Sequence, residues 1–126
     1  MIYNKIVEDC FFYPQHVGEL AEELPYVVCG TSKTSLNTAI KLYWQCDQNQ
    51  ILVQCRFKAV GNPYLIAGLE WVCRQIQGRK LDEVQTLDYL LLIRELDIKK
   101  TYYPIALQID TLYKEMIDLM NKQFVR

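Results

Sequence analysis

Two hydrophobic periods meet at Gly61-Asn62-Pro63, and the chain can satisfy both only by changing secondary structure there. Before that point, Leu36, Thr38, Ile40, Leu42 and Trp44 alternate with Asn37, Ala39, Lys41 and Tyr43, and Ile51, Val53, Cys55 and Phe57 alternate with Leu52, Gln54, Arg56 and Lys58. Successive side chains of a strand point to opposite faces, so each run predicts a strand with one buried face. The polar stretch Cys46-Asp47-Gln48-Asn49-Gln50 between them is short enough for an antiparallel hairpin. Beyond Pro63, Leu65, Ile66, Leu69, Val72, Cys73 and Ile76 share one face of a helix. Asn62 is a favoured N-cap, Pro63 suits the first helical position, and Gly78 is placed to end the helix.

The flanking segments extend this frame. Ile2, Tyr3, Ile6, Val7, Cys10 and Phe11 give residues 2–12 one apolar helical face, ended by Pro14. Tyr26-Val27-Val28-Cys29 reads as a strand and Gly30-Thr31-Ser32-Lys33-Thr34-Ser35 as a turn or loop. Asp82 is a candidate cap for a further turn, and Leu87, Leu90, Leu91 and Arg94 suggest a helix up to Leu96. Pro104 opens a long amphipathic helix with Ile105, Ile109, Leu112, Met116 and Leu119 as its buried stripe. Strands first and helices afterwards predict an α+β fold: a small antiparallel sheet of about three strands, with an N-terminal helix and C-terminal helices packed on one face.

Composition narrows the function classes. With 126 residues, 51% of them hydrophobic, the chain suits one domain over residues 1–126, burying about two thirds of its unfolded surface. A net charge of −1 with interspersed signs offers no basic stripe for nucleic acid. No apolar run is long enough for a membrane span, and the N-terminus does not read as a signal peptide, so a cytoplasmic location is expected. Five cysteines (Cys10, Cys29, Cys46, Cys55 and Cys73) without Cys-x-x-Cys spacing argue against a disulfide framework or zinc ribbon. Cys10, Cys55 and Cys73 fall on apolar faces, as expected of buried thiols. There is no Gly-rich phosphate loop, no Gly-x-Ser-x-Gly elbow and no paired His/Cys motif, so an enzyme is not expected. His16, the single histidine, is expected in a turn or at the surface.

Four segments together resemble the IscU/NifU N-terminal family of iron–sulfur cluster scaffolds. Tyr13-Pro14-Gln15-His16-Val17-Gly18 is similar to that family's Asn-Pro-Arg-Asn-Val-Gly. The strand ending in Phe57-Lys58 leads to Gly61-Asn62-Pro63, where the family has Gly-Cys-Gly. Gly78-Arg79-Lys80-Leu81-Asp82-Glu83 follows at the family's interval as its Gly-Lys-x-Leu-Asp-Glu element, and Lys100-Thr101-Tyr102-Tyr103-Pro104-Ile105 stands where it has Lys-x-His-Cys-Ser-Ile. The resemblance implies the fold above and a role in which sulfur from a cysteine desulfurase and iron are assembled into a 2Fe-2S cluster.

That chemistry needs soft thiolate ligands, and the matched positions lack them. The gapless register puts Leu36 at the first cysteine, Thr38 at the aspartate, Asn62 and Tyr103 at the second and third cysteines, and Tyr102 at the histidine. Matching Cys29-Gly30-Thr31 to the Cys-Gly-Asp element requires an insertion and leaves Cys29 as a possible residual thiol. Asp97-Ile98-Lys99-Lys100 replaces the Leu-Pro-Pro-Val-Lys segment read by a chaperone, so docking of that kind is not expected. The resemblance thus implies a scaffold-like protein with a degenerate cluster site. A cluster or zinc would need unrecognised or partner-supplied ligands, and the implied partner is a cysteine desulfurase or another assembly protein. The alternatives are an interaction or regulatory module without metal, and a small-molecule binder at the former cluster pocket, with Asn62, Tyr64, Lys100, Tyr102 and Tyr103 as the candidate pocket or partner surface.

Overall fold

The computed structural model describes residues 3–33 and 38–125. Helix α1 (Lys5–Phe12) is followed by strands β1 (Val27–Lys33), β2 (Ala39–Cys46) and β3 (Leu52–Val60), and then by helices α2 (Pro63–Ile76), α3 (Tyr89–Leu96) and α4 (Tyr103–Gln123). The strands form one antiparallel sheet in the order β1-β2-β3. The α+β arrangement expected from the change of period is the observed one. Ile40, Leu42, Trp44, Cys55 and Phe57 project from one face of the sheet into a core completed by Leu65, Leu69 and Ile76 of α2 and by Ile109, Leu112 and Met116 of α4.

Several local expectations are corrected. Gly30 to Lys33 is strand, not loop, because Gly30, Thr31, Ser32 and Lys33 pair with Leu42, Lys41, Ile40 and Ala39. Gly30 also permits α4 to approach: a Cβ there would lie 2.7 Å from Met116 Sδ. In β3 the buried side chain is Leu52, while Val53 is exposed and Ile51 lies outside the strand. The cause is a bulge: Gln45 pairs with Gln54 but Cys46 with Leu52, so one extra residue in β3 inverts the alternation. Asp82 lies inside a short 3-10 turn (Leu81–Val84) that has no side-chain cap. In α3 the buried residues are Leu92 and Leu96, whereas Leu90 is exposed. In α4 Met120 takes the core position expected of Leu119. The first helix begins after Asn4, whose side chain accepts from the Val7 N–H. Ile2 and Leu36 lie outside the described residues.

The largest departure concerns His16, which is buried, not at the surface. Its partner is Glu70, a carboxylate with no solvent exposure in the middle of α2. Glu70 Oε1 accepts from the backbone N–H groups of Gln15 and His16, each at 2.9 Å. Oε2 lies 2.7 Å from His16 Nδ1 and accepts from Arg74 Nε at 2.8 Å. Arg74 in turn donates to Asp9 of α1 and to the Tyr13 carbonyl. Residues 16–18 are thereby held along β3, where Phe57 N–H donates to the His16 carbonyl and Gly18 N–H to the Phe57 carbonyl.

Replacing Glu70 by alanine leaves a buried imidazole and two amides without their acceptor and removes one of the three acceptors of Arg74. We expect Glu70→Ala to lower unfolding stability by about 3–5 kcal/mol, read as a shift of the urea midpoint. A loss below about 1 kcal/mol would mean that solvent satisfies those donors.

Candidate functional site

Two chain reversals and the start of β2 converge on a cavity of about 270 Å³ lined by Thr38, Gly61, Asn62, Thr101, Tyr102, Pro104 and Ile105. Asn62 is the N-cap of α2: its Oδ1 accepts from the Leu65 N–H at 3.1 Å, and Pro63 occupies the first turn. Across the cavity, a 3-10 turn (Lys100–Tyr102) runs directly into α4, whose first turn contains Pro104. Proline supplies no backbone N–H, so both helix starts present one donor fewer than a non-proline start would. Thr38 Oγ1 donates to Gln108 Oε1 at 2.9 Å, and Gln108 Nε2 donates to Ser32 Oγ at 3.1 Å. These bonds tie the end of β1 and the start of β2 to α4 beside the cavity, where Thr38 lines it.

Three residues from separate parts of the sequence, Thr38, Asn62 and Tyr102, therefore share one cavity. Tyr103 is half-buried and packs against the core, and Lys100 is exposed; neither lines the cavity. Tyr64 is buried, so it does not contribute a hydroxyl to a surface patch. Its ring lies 5.2 Å from that of Tyr102 and 5.0 Å from that of Tyr3. Burial raises its hydroxyl pKa. The polar groups facing the cavity are thus hydroxyls and an amide, which are neutral oxygen and nitrogen donors.

The thiols lie elsewhere. Cys10, Cys46, Cys55 and Cys73 are buried in the core. Burial pushes Cys10 up to about 11 and Cys46 up to about 12. Cys73 is raised by a hydrogen bond with Cys55 and by burial. Cys29, half-buried in β1, alternates with Gly30, which faces α4, so Cys29 points away from the helices and stands opposite Tyr43. Its pKa is also raised, chiefly by burial. Among the described residues, no group of three or more His, Cys, Asp and Glu side chains converges as a metal site. No helix of the described residues is long and apolar enough to cross a membrane.

Sequence reasoning missed Glu70, Arg74 and Gln108. Glu70 left one signal, a carboxylate set among apolar positions and one turn before an arginine; Gln108 left none, because its partners are distant in sequence.

Two outcomes follow from this geometry. Brief alkylation of the native protein near neutral pH, followed by mass spectrometry, should modify Cys29 alone, with the other four thiols reacting only after unfolding. Asn62→Ala should cost about 1 kcal/mol by removing the cap, measured by thermal unfolding.

The comparisons agree with the resemblance. The family model described as the NifU-like N-terminal domain matches residues 2–122. Among solved structures, the N-terminal part of a NifU-like protein from Brucella abortus superposes with a TM-score of 0.69 at 13% identity, covering 94% of each chain. The putative iron–sulfur cluster assembly scaffold protein for the SUF system from Fervidobacterium islandicum AW-1 gives 0.65 at 18% identity, covering 94% of this chain and 96% of that one. At such identities the likeness shows the fold. Comparison with curated protein sequences finds no match. The chain belongs to the NifU-like N-terminal domain family.

Proposed function

We propose that this chain keeps the scaffold frame of its family with a degenerate cluster site, and does not hold a 2Fe-2S cluster on its own residues. The observation that carries this reading is the cavity shared by Thr38, Asn62 and Tyr102, the positions at which the resemblance implies an aspartate, a cysteine and a histidine. Iron in such clusters is bound by thiolates, with imidazole as an occasional replacement. An amide already engaged as a helix cap and neutral hydroxyls are poor substitutes. The first matched position is a leucine, Leu36, and the third is a tyrosine, Tyr103. Four of the five thiols are buried in the core and Cys29 faces the other side of the sheet, so none is placed to replace the missing ligands without rearrangement.

In this reading the chain acts in the cytoplasm with a partner of the assembly machinery. A cysteine desulfurase is the partner class implied by the family, meeting a chain that either borrows ligands from another subunit or occupies the scaffold's place without carrying cargo.

Anaerobic reconstitution with ferrous iron and sulfide tests the central claim. The wild-type chain should take up no stoichiometric cluster and develop no 2Fe-2S visible absorption. A stoichiometric cluster lost in Cys29→Ser would overturn the reading, because Cys29 would then be a ligand in the gapped register.

A further inference from the structure

The face of the sheet turned away from the helices carries an arrangement that fold stability alone does not favour. Lys41 of β2 and Lys58 of β3 are directly cross-strand partners, and like charges in that relation destabilise a sheet. Thr31 completes their row, and the next row reads Lys33, Ala39 and Val60 across the three strands. Their orientation follows from their neighbours in sequence: Gly30 and Ser32 approach α4, whereas Ile40, Leu42 and Phe57 are buried in the core.

The two opposed lysines splay apart. Lys58 Nζ reaches Glu19 at 2.7 Å, and Lys41 Nζ leans over the Tyr43 ring, 5.5 Å from its centroid. Between them and Lys33 a groove of about 360 Å³ remains open. Its floor is the methyl groups of Ala39 and Val60, and Val60 is 68% exposed. Neither Lys33 nor Lys41 forms an ion pair among the described residues. Two lysines without an ion-pair partner, a third paired with Glu19, and an apolar floor thus sit together, with Glu22 also acting on Lys41.

We propose that this groove docks an acidic segment of a partner protein, with an apolar side chain seated on Ala39 and Val60 and flanking carboxylates on Lys33 and Lys41. Glu19 indicates the chemistry, since the chain itself already places a carboxylate against the third lysine. The apolar floor favours a peptide over a bare inorganic anion, and charge complementarity fixes the sign of the partner. The groove adjoins the cavity at Asn62, whose Thr38 and Gly61 are the chain neighbours of Ala39 and Val60, but shares no lining residue with it.

The probe is a fluorescein-labelled dodecapeptide made of three Glu-Val-Glu-Leu repeats, compared with the same peptide carrying Gln for Glu, by fluorescence anisotropy. The acidic peptide should bind and weaken with added salt, and the Gln peptide should not bind. Lys33→Glu/Lys41→Glu should weaken binding by roughly tenfold while unfolding no earlier than wild type, since Glu at 41 would oppose Lys58. Lys5→Glu/Lys122→Glu, with the same change of net charge at other sites, should stay within about twofold. Amide NMR perturbations on peptide addition should map to residues 31–33, 39–41 and 58–60. Equal binding of the Gln peptide, equal loss in the control variant, or perturbations confined to another face would overturn the proposal. So would self-association of the peptide-free protein that Lys33→Glu/Lys41→Glu abolishes, which would make a second copy the occupant.

Discussion

The buried carboxylate of Glu70 is the constraint on which the arrangement of this fold depends. An ionised carboxylate in a protein interior is tolerable only when its oxygens are fully engaged, and Glu70 accepts from two backbone amides, one imidazole nitrogen and one guanidinium. Those donors come from two places: residues 15 and 16 in the segment after α1, and the next turn of α2. Arg74 carries the link onward to Asp9. Satisfying one charge therefore fixes α1 against α2 and holds residues 16–18 along β3. The strand so held runs straight into Gly61 and Asn62, and from there into the cavity.

Bonds local to its rim likewise hold the cavity. Asn62 caps α2, Pro63 and Pro104 begin their helices with a preset backbone, and Gln108 bridges Thr38 to Ser32. Each bond is local to the rim, and none needs a bound ion to satisfy a buried charge. A site with thiolates and a carboxylate would concentrate negative charge there and require a cation to balance it. The neutral groups of Thr38, Asn62 and Tyr102 impose no such requirement.

Much of the fold was legible in the sequence because it rests on local rules. The change of period at Gly61-Asn62-Pro63, the cap at Asn62 and the amphipathic stretch after Pro104 are each decided by residues within a few positions of one another. The resemblance carried on Gly78-Arg79-Lys80-Leu81-Asp82-Glu83 and its companion segments was likewise read from short spacings. Errors fell where two distant segments decide the outcome. The β3 bulge inverted Leu52 and Val53 because pairing with β2, not composition, sets that alternation. Gly30 looked like a turn residue, yet it is strand because it pairs with Leu42, and it is glycine because Met116 needs the space that a Cβ would fill.

The sequence by itself determined most of the element types, their order and the family, since these depend on residue identity and short-range spacing. Only the tertiary structure decided that His16 meets Glu70 across 54 positions and that Thr38 meets Gln108 across 70. It also decided that Cys29 faces away from the cavity and that Lys41 stands opposite Lys58. Such facts depend on strand register and on which helix covers which face. Those are set by packing the whole core at once, so no local pattern encodes them.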